Sequence, residues 1–121
     1  MNIVKQYVLS AIVMLALDFV YLSFNKSAYE TMVVHIQRVI MTVKIWPALL
    51  CYVFLIFGLN HFILSKRRSV MEAFLLGLVI YGVYDTTNLA IFKKWNTKLA
   101  IMDGLWGGVL FALTAAIVYA L

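Results

Sequence analysis

Three aspartates, Asp18, Asp85 and Asp103, lie inside long apolar runs, where carboxyl groups are least expected. An ionisable side chain at membrane depth costs on the order of 2.5–3.5 kcal/mol even on permissive insertion scales, so such groups face a bundle interior or a wet cavity. Several carboxylates gathered in a low-dielectric site cannot all carry charge, and at least one is expected to keep a proton that it can give up or take back near neutrality. That is the chemistry of a general acid–base pair or of a proton carrier. Asp85 and Asp103 are the candidates for a catalytic pair, and Asp18 is a candidate for binding.

Polar and aromatic neighbours recur around these acids at helical spacing. Tyr81, Tyr84, Asp85 and Asn88 follow i, i+3, i+4, i+7, with Thr87 beside them. Asp18, Tyr21 and Asn25 repeat the pattern, and Asp103 and Trp106 share a flank. The expected ligand-binding set is therefore Asp18, Tyr21, Tyr81, Tyr84, Thr87, Asn88 and Trp106, with Asn88 and Tyr84 orienting a substrate. The bland alternative is that these groups only hydrogen-bond across helices to fix register, each contributing around 0.6 kcal/mol.

The elements that position them follow from composition. Of the 121 residues 65% are hydrophobic and only 12% charged, too few charges to coat a water-facing surface, so the expected solvent is lipid. Four apolar runs, 7–24, 45–64, 70–92 and 99–121, reach the roughly 20 residues that a helix needs to cross a hydrocarbon core of about 30 Å. No period-two alternation suggests a barrel. The fold class is all-α, an integral membrane four-helix bundle in a single domain, with an amphipathic interfacial helix over about 27–44 between spans one and two.

In that segment Tyr29, Met32, Val33, Ile36, Ile40 and Val43 form an apolar face, while Thr31, His35, Arg38 and Thr42 line another. A helix packed on the end of the bundle is the alternative. The first run follows Lys5 as a signal peptide would, but it is long, contains Asp18 and lacks a small-x-small cleavage site, so it is expected to stay. The connections at 65–69 and 93–98 are tight and force antiparallel neighbours. Trp46 and Trp95 fall at span ends, where indoles favour the headgroup zone.

Depth then brings the acids together. Asp18 lies seven residues before Asn25 (about 10 Å), Asp85 eight before Lys93 (about 12 Å) and Asp103 five after Lys98 (about 7.5 Å). The first and third connections share a side, so all three carboxyls fall in the same half of the bilayer. A pocket enclosed by spans one, three and four is the expected site. All ten Lys and Arg fall outside the runs, whereas four of the five acids, Glu72 included, fall inside. Glu72 is near enough to its span end to reach headgroups. Lys and Arg divide six to four in favour of placing the first and third connections in the cytoplasm, too narrow a margin to fix orientation or name the membrane.

The motifs L-D-F-V-Y-L at 17–22, Y-D-T-T-N-L-A at 84–90 and M-D-G-L-W-G at 102–107 resemble a family of small predicted membrane proteins, domain-of-unknown-function family 2177. The shared positions are Asp18, Tyr84, Asp85, Thr87, Asn88, Asp103, Trp106 and Gly107. The chain departs at Tyr21, where the resemblance implies tryptophan. What the resemblance implies is a four-span architecture and a site, with no reaction attached.

Other chemistry is weakly signalled. No zinc spacing, phosphate loop or nucleophile elbow occurs, so neither metal nor cofactor is expected, and Mg²⁺ or Ca²⁺ at the acids is a minority reading. His61 reads as an interfacial histidine, His35 as an interfacial residue that could lid the pocket, and Cys51 as packing. The net charge of +5 fits anionic headgroups better than nucleic acid, because the basic residues cluster at helix ends. Membrane lipids and a lipid-like ligand are the expected partners. The leading expectation is binding or modification of a lipid-like small molecule. The alternatives are a proton- or cation-coupled transporter acting as a homodimer through Gly104 and Gly108, and a noncatalytic assembly protein.

Overall fold

A computed structural model describes residues 2–37 and 44–121. Its elements are α1 (Ile3–Gln37), α2 (Ile45–Leu59), which runs directly into a π-helical turn (Asn60–Leu64), α3 (Val70–Ile91) and α4 (Thr97–Ala120). No strand occurs among the described residues. All four helices, taking α2 together with its π turn, are long and apolar enough to cross a bilayer.

Local chemistry sets the helix starts. Ser69 caps α3, its Oγ accepting from the Glu72 amide at 3.1 Å, and Asn96 caps α4 by accepting from the Leu99 amide at 3.2 Å. Pro47 sits in the first turn of α2, where a missing N–H is tolerated. Replacing Ser69 by Ala is expected to cost about 1 kcal/mol. Equilibrium unfolding in mixed micelles would read that loss, and an unchanged midpoint would mean that the cap contributes nothing.

The segment expected to begin a separate interfacial helix at residue 27 instead continues α1, which corrects that boundary. Neither Gly nor Pro occurs between Phe24 and Gln37 to stop the helix. The polar side chains there bond within it: Asn25 Nδ2 donates to the Tyr21 carbonyl and Thr31 Oγ1 to the Ser27 carbonyl, both at 2.9 Å. Lys26 and Glu30 pair one turn apart at 3.8 Å. At 35 residues α1 is about 52 Å long, more than a hydrocarbon core requires. Its extension packs on the bundle end through buried Met32, whose sulfur meets the Asn96 amide at 3.3 Å. Arg38, Ile40, Thr42 and Val43 lie outside the described residues, as do the side chains of His35 and Ile36.

Helix α4 is the centre, with half of its most apolar window buried against 11% for α3. It packs on α3 and α1, and α1 in turn carries α2. The α3–α4 contact is a backbone approach: a Cβ on Gly77 would meet the Gly107 carbonyl, one on Gly107 the Tyr81 ring, and one on Gly108 the Phe74 ring at 2.8 Å. Gly104 and Gly108 are both buried, and the nearest groups around them, Gly82 and Phe74, belong to α3 of the same chain.

The inward stripe of α1 reads Gln6, Ser10, Met14, Asp18, Tyr21 and divides the interior into layers. At one end Gln6 Nε2 donates to the Leu64 carbonyl at 3.2 Å, and Asn60 Nδ2 donates to Ser10 Oγ at 2.8 Å. Next comes an apolar layer of Met14, Leu55, Leu59, Leu110 and Phe111, and beyond it lie the acids. The wide π turn leaves carbonyls that outside groups reach: Leu64 serves Gln6, and Ile63 accepts from the Tyr119 hydroxyl at 3.2 Å. The turn closes with the Arg67 amide on the Leu64 carbonyl (3.1 Å) and the Arg68 amide on the Ile63 carbonyl (2.9 Å), which places Arg67 at φ 48°. Glycine is usual at this position of a helix end, and a side chain there costs roughly 1–2 kcal/mol.

Candidate functional site

The acids occupy two tiers about one helical turn apart, because Trp106 lies three residues deeper on α4 than Asp103. In the deeper tier Asp18, 5% exposed, is saturated on both oxygens. Oδ1 accepts from the Trp106 indole N–H at 3.0 Å, and Oδ2 accepts from the Tyr52 hydroxyl in a short hydrogen bond. Tyr21 stacks on Trp106 with ring centroids 4.6 Å apart and planes 3° from parallel, which fixes the indole's aim at Asp18.

The shallower tier is different. Asp103 Oδ1 accepts from the Tyr29 hydroxyl at 3.1 Å, and that hydroxyl lies 2.8 Å from the Tyr21 hydroxyl, giving a continuous chain Asp103–Tyr29–Tyr21. The carboxyls of Asp85 and Asp103 are close neighbours. Asp85 is only 3% exposed, yet its Oδ2 has no partner. The buried Asn88 Nδ2 and Trp95 Nε1 are also unpartnered, although the indole approaches Asp85. Most buried polar groups in proteins are paired, so an unpartnered carboxyl oxygen with an unpartnered indole N–H beside it calls for a cause. Among the described residues no cation supplies it: the ion pairs are Lys26 with Glu30 and Arg68 with Glu72. Nor do three His, Cys, Asp or Glu side chains there gather as metal ligands would.

The residues expected from the sequence are distributed unevenly. Asp18, Tyr21 and Trp106 share the deeper tier and Asp85 and Asp103 the shallower one, with Asn88 one turn further along α3 beside Tyr84. Tyr81 is half-buried over Gly107. Tyr84 is 56% exposed with its ring edge against Trp95 at 6.1 Å, and Thr87 is exposed, so neither is enclosed with the carboxyls. Three participants were not anticipated. Tyr29 continues the Asp18–Tyr21–Asn25 stripe by one more turn once α1 is unbroken. Tyr52 lies eight residues after Lys44, about 12 Å deep and level with Asp18, so α2 joins spans one, three and four. Trp95 points its N–H inward rather than to the headgroups. His61 stays peripheral, exposed and stacked on Phe57 at 5.4 Å.

Comparison with family models matches residues 3–120 to Predicted membrane protein (DUF2177). The chain belongs to that family. No curated protein and no solved structure matches it. Family membership and the four spanning helices agree on an integral, multi-pass membrane protein. The family's description carries no activity, so what the acids do must be argued from the site itself.

Proposed function

We propose that the Asp85–Asp103 tier binds the polar end of a lipid-like small molecule. The observation that carries this reading is the buried, unpartnered carboxyl oxygen Asp85 Oδ2, with the unpartnered Trp95 indole N–H approaching Asp85. A group that donates to Asp85 and accepts from Trp95 completes both, as a hydroxyl does. With Asp18, Asp85 and Asp103 together and no described Lys or Arg paired to them, a phosphate end is repelled, so the favoured end is uncharged or cationic. If chemistry follows binding, Asp85 and Asp103 are the acid–base pair, and the Tyr29–Tyr21 hydroxyl chain is a route for the exchanged proton.

Mass spectrometry of small molecules retained by the detergent-purified protein tests this. A specific hydroxyl- or amine-bearing lipid is expected in the wild type, reduced at least about tenfold in Asp85→Asn, the loss of roughly 1.4 kcal/mol that one charge-assisted hydrogen bond supplies. Helical content should stay unchanged. Equal retention by the variant overturns the assignment. Coupled transport of a proton or cation draws on the same carboxyls, and proteoliposome flux insensitive to Asp85→Asn would remove that reading.

A further inference from the structure

At the end of the bundle opposite the acids lies a cavity of about 280 Å³ lined by Lys5, Gln6, Arg67, Val118, Tyr119 and Leu121. We propose that it is a binding site for the phosphate of an anionic phospholipid, distinct from the acid site and independent of it.

The cavity is built rather than incidental. Arg67 holds the left-handed position that closes the π turn, a place where glycine would be free of strain, and it keeps a cationic side chain there. Its guanidinium lies over the Tyr119 ring, 5.4 Å from the centroid. Tyr119 is anchored in turn, its hydroxyl bonding the Arg68 carbonyl at 2.6 Å and the Ile63 carbonyl at 3.2 Å. Gln6, itself buried, forms the wall and is fixed to the Leu64 carbonyl. The two cations are available: Arg68 pairs with Glu72 at 3.5 Å, whereas Lys5 and Arg67 have no acidic partner among the described residues.

A phospholipid suits the position better than a free anion. The cavity joins the beginning of α1, the α2–α3 connection and the end of α4, which is the headgroup level of the spans. Val4 and Val8, on the helix that lines it through Lys5 and Gln6, are exposed and offer an apolar flank along which acyl chains can run. Guanidinium and ammonium together match a phosphate's charge and acceptors.

The test uses the full chain in phosphatidylcholine vesicles containing one-fifth phosphatidylglycerol, about 20% by mole, enough to give a negative surface. After gentle detergent extraction, native mass spectrometry counts co-purifying lipids. Phosphatidylglycerol enrichment over phosphatidylcholine is expected in the wild type and should fall about fivefold in Arg67→Gly and again in Lys5→Gln, the effect of one interfacial cation each. Arg67→Gly relieves the backbone, so its resistance to unfolding should hold or improve, which separates lost binding from lost folding. Lys94→Gln, outside the cavity, should leave enrichment intact. Enrichment that persists in Arg67→Gly, or falls equally in Lys94→Gln, overturns the site. Protection of Arg67 from phenylglyoxal by inorganic phosphate in pure phosphatidylcholine vesicles, equal to that given by phosphatidylglycerol, overturns the lipid as occupant.

Discussion

Gly77→Ala is expected to split the α3–α4 hairpin. The added methyl would be driven onto the Gly107 carbonyl, with the Gly107 carbonyl carbon at 2.8 Å and Phe111 Cβ at 2.9 Å. Two of these are backbone atoms, which cannot turn aside as a side chain can, so the helices must separate. In lipid this is severe, because transmembrane helices associate largely through the close packing that small residues permit. Overpacking of this kind costs about 1–3 kcal/mol, and the backbone obstruction puts Gly77→Ala at the upper end. Gly82 and Gly58 meet nothing within 4 Å, so alanine there should be neutral or stabilise by up to about 1 kcal/mol through helix propensity. The opposite signs make the comparison decisive. If Gly77→Ala and Gly82→Ala unfold at the same detergent composition, the helices do not pack through this seam.

Removing both donors from Asp18 is expected to be larger still. Tyr52→Phe deletes one hydrogen bond and keeps the whole ring, whereas Trp106→Phe deletes the other and also removes the pyrrole ring that stacks on Tyr21; each should cost at least about 1–3 kcal/mol, the penalty of leaving a buried acceptor unmet. The double variant strands a buried carboxyl with neither donor, a situation that costs about 3–5 kcal/mol when a buried charge loses its partners. The single effects should not add, since either donor alone partly compensates. Asp18→Asn should recover part of the loss in the Tyr52→Phe background, because an amide oxygen still accepts from Trp106. Equilibrium unfolding followed by circular dichroism reads the four variants against the wild type, and a double variant as stable as the wild type would mean that Asp18 is held by something else.

The four spans were legible because lipid demands long apolar runs, and the placement of Asp18, Asp85 and Asp103 toward one end of the bundle followed from counting residues to the connections, though not their division into two tiers. What escaped was rotation and continuity. Which ring reaches Asp18 depends on how α2 and α4 turn about their own axes, and periodicity within one helix carries no information about that. Tyr52, alone in an apolar run, therefore gave no sign of its partner. Tyr29 was obscured because the polar cluster Asn25, Lys26 and Ser27 marks the end of an apolar run and the start of a second helix, whereas its side chains serve one continuous helix. The glycine seam was legible in kind but not in place: Gly104 and Gly108 were the expected pair, whereas the closest approaches fall at Gly77, Gly107 and Gly108. Gln6, Ser10 and Asn60 show that polar residues near span ends also fasten helices together, a role that spacing alone does not distinguish from a site.

The dry layer of Met14, Leu55, Leu59, Leu110 and Phe111 acts as a septum. It parts the carboxyl tier from the Ser10–Asn60 clasp and the basic end, leaving no file of polar atoms from one face to the other among the described residues. Such a septum bars charged groups, because an ionised group at that depth in hydrocarbon is costly. On the proposed reading, a solute bound at Asp85 and Asp103 in a single copy of this protein would enter and leave on the carboxyl side of that septum, the behaviour of a receptacle rather than a conduit.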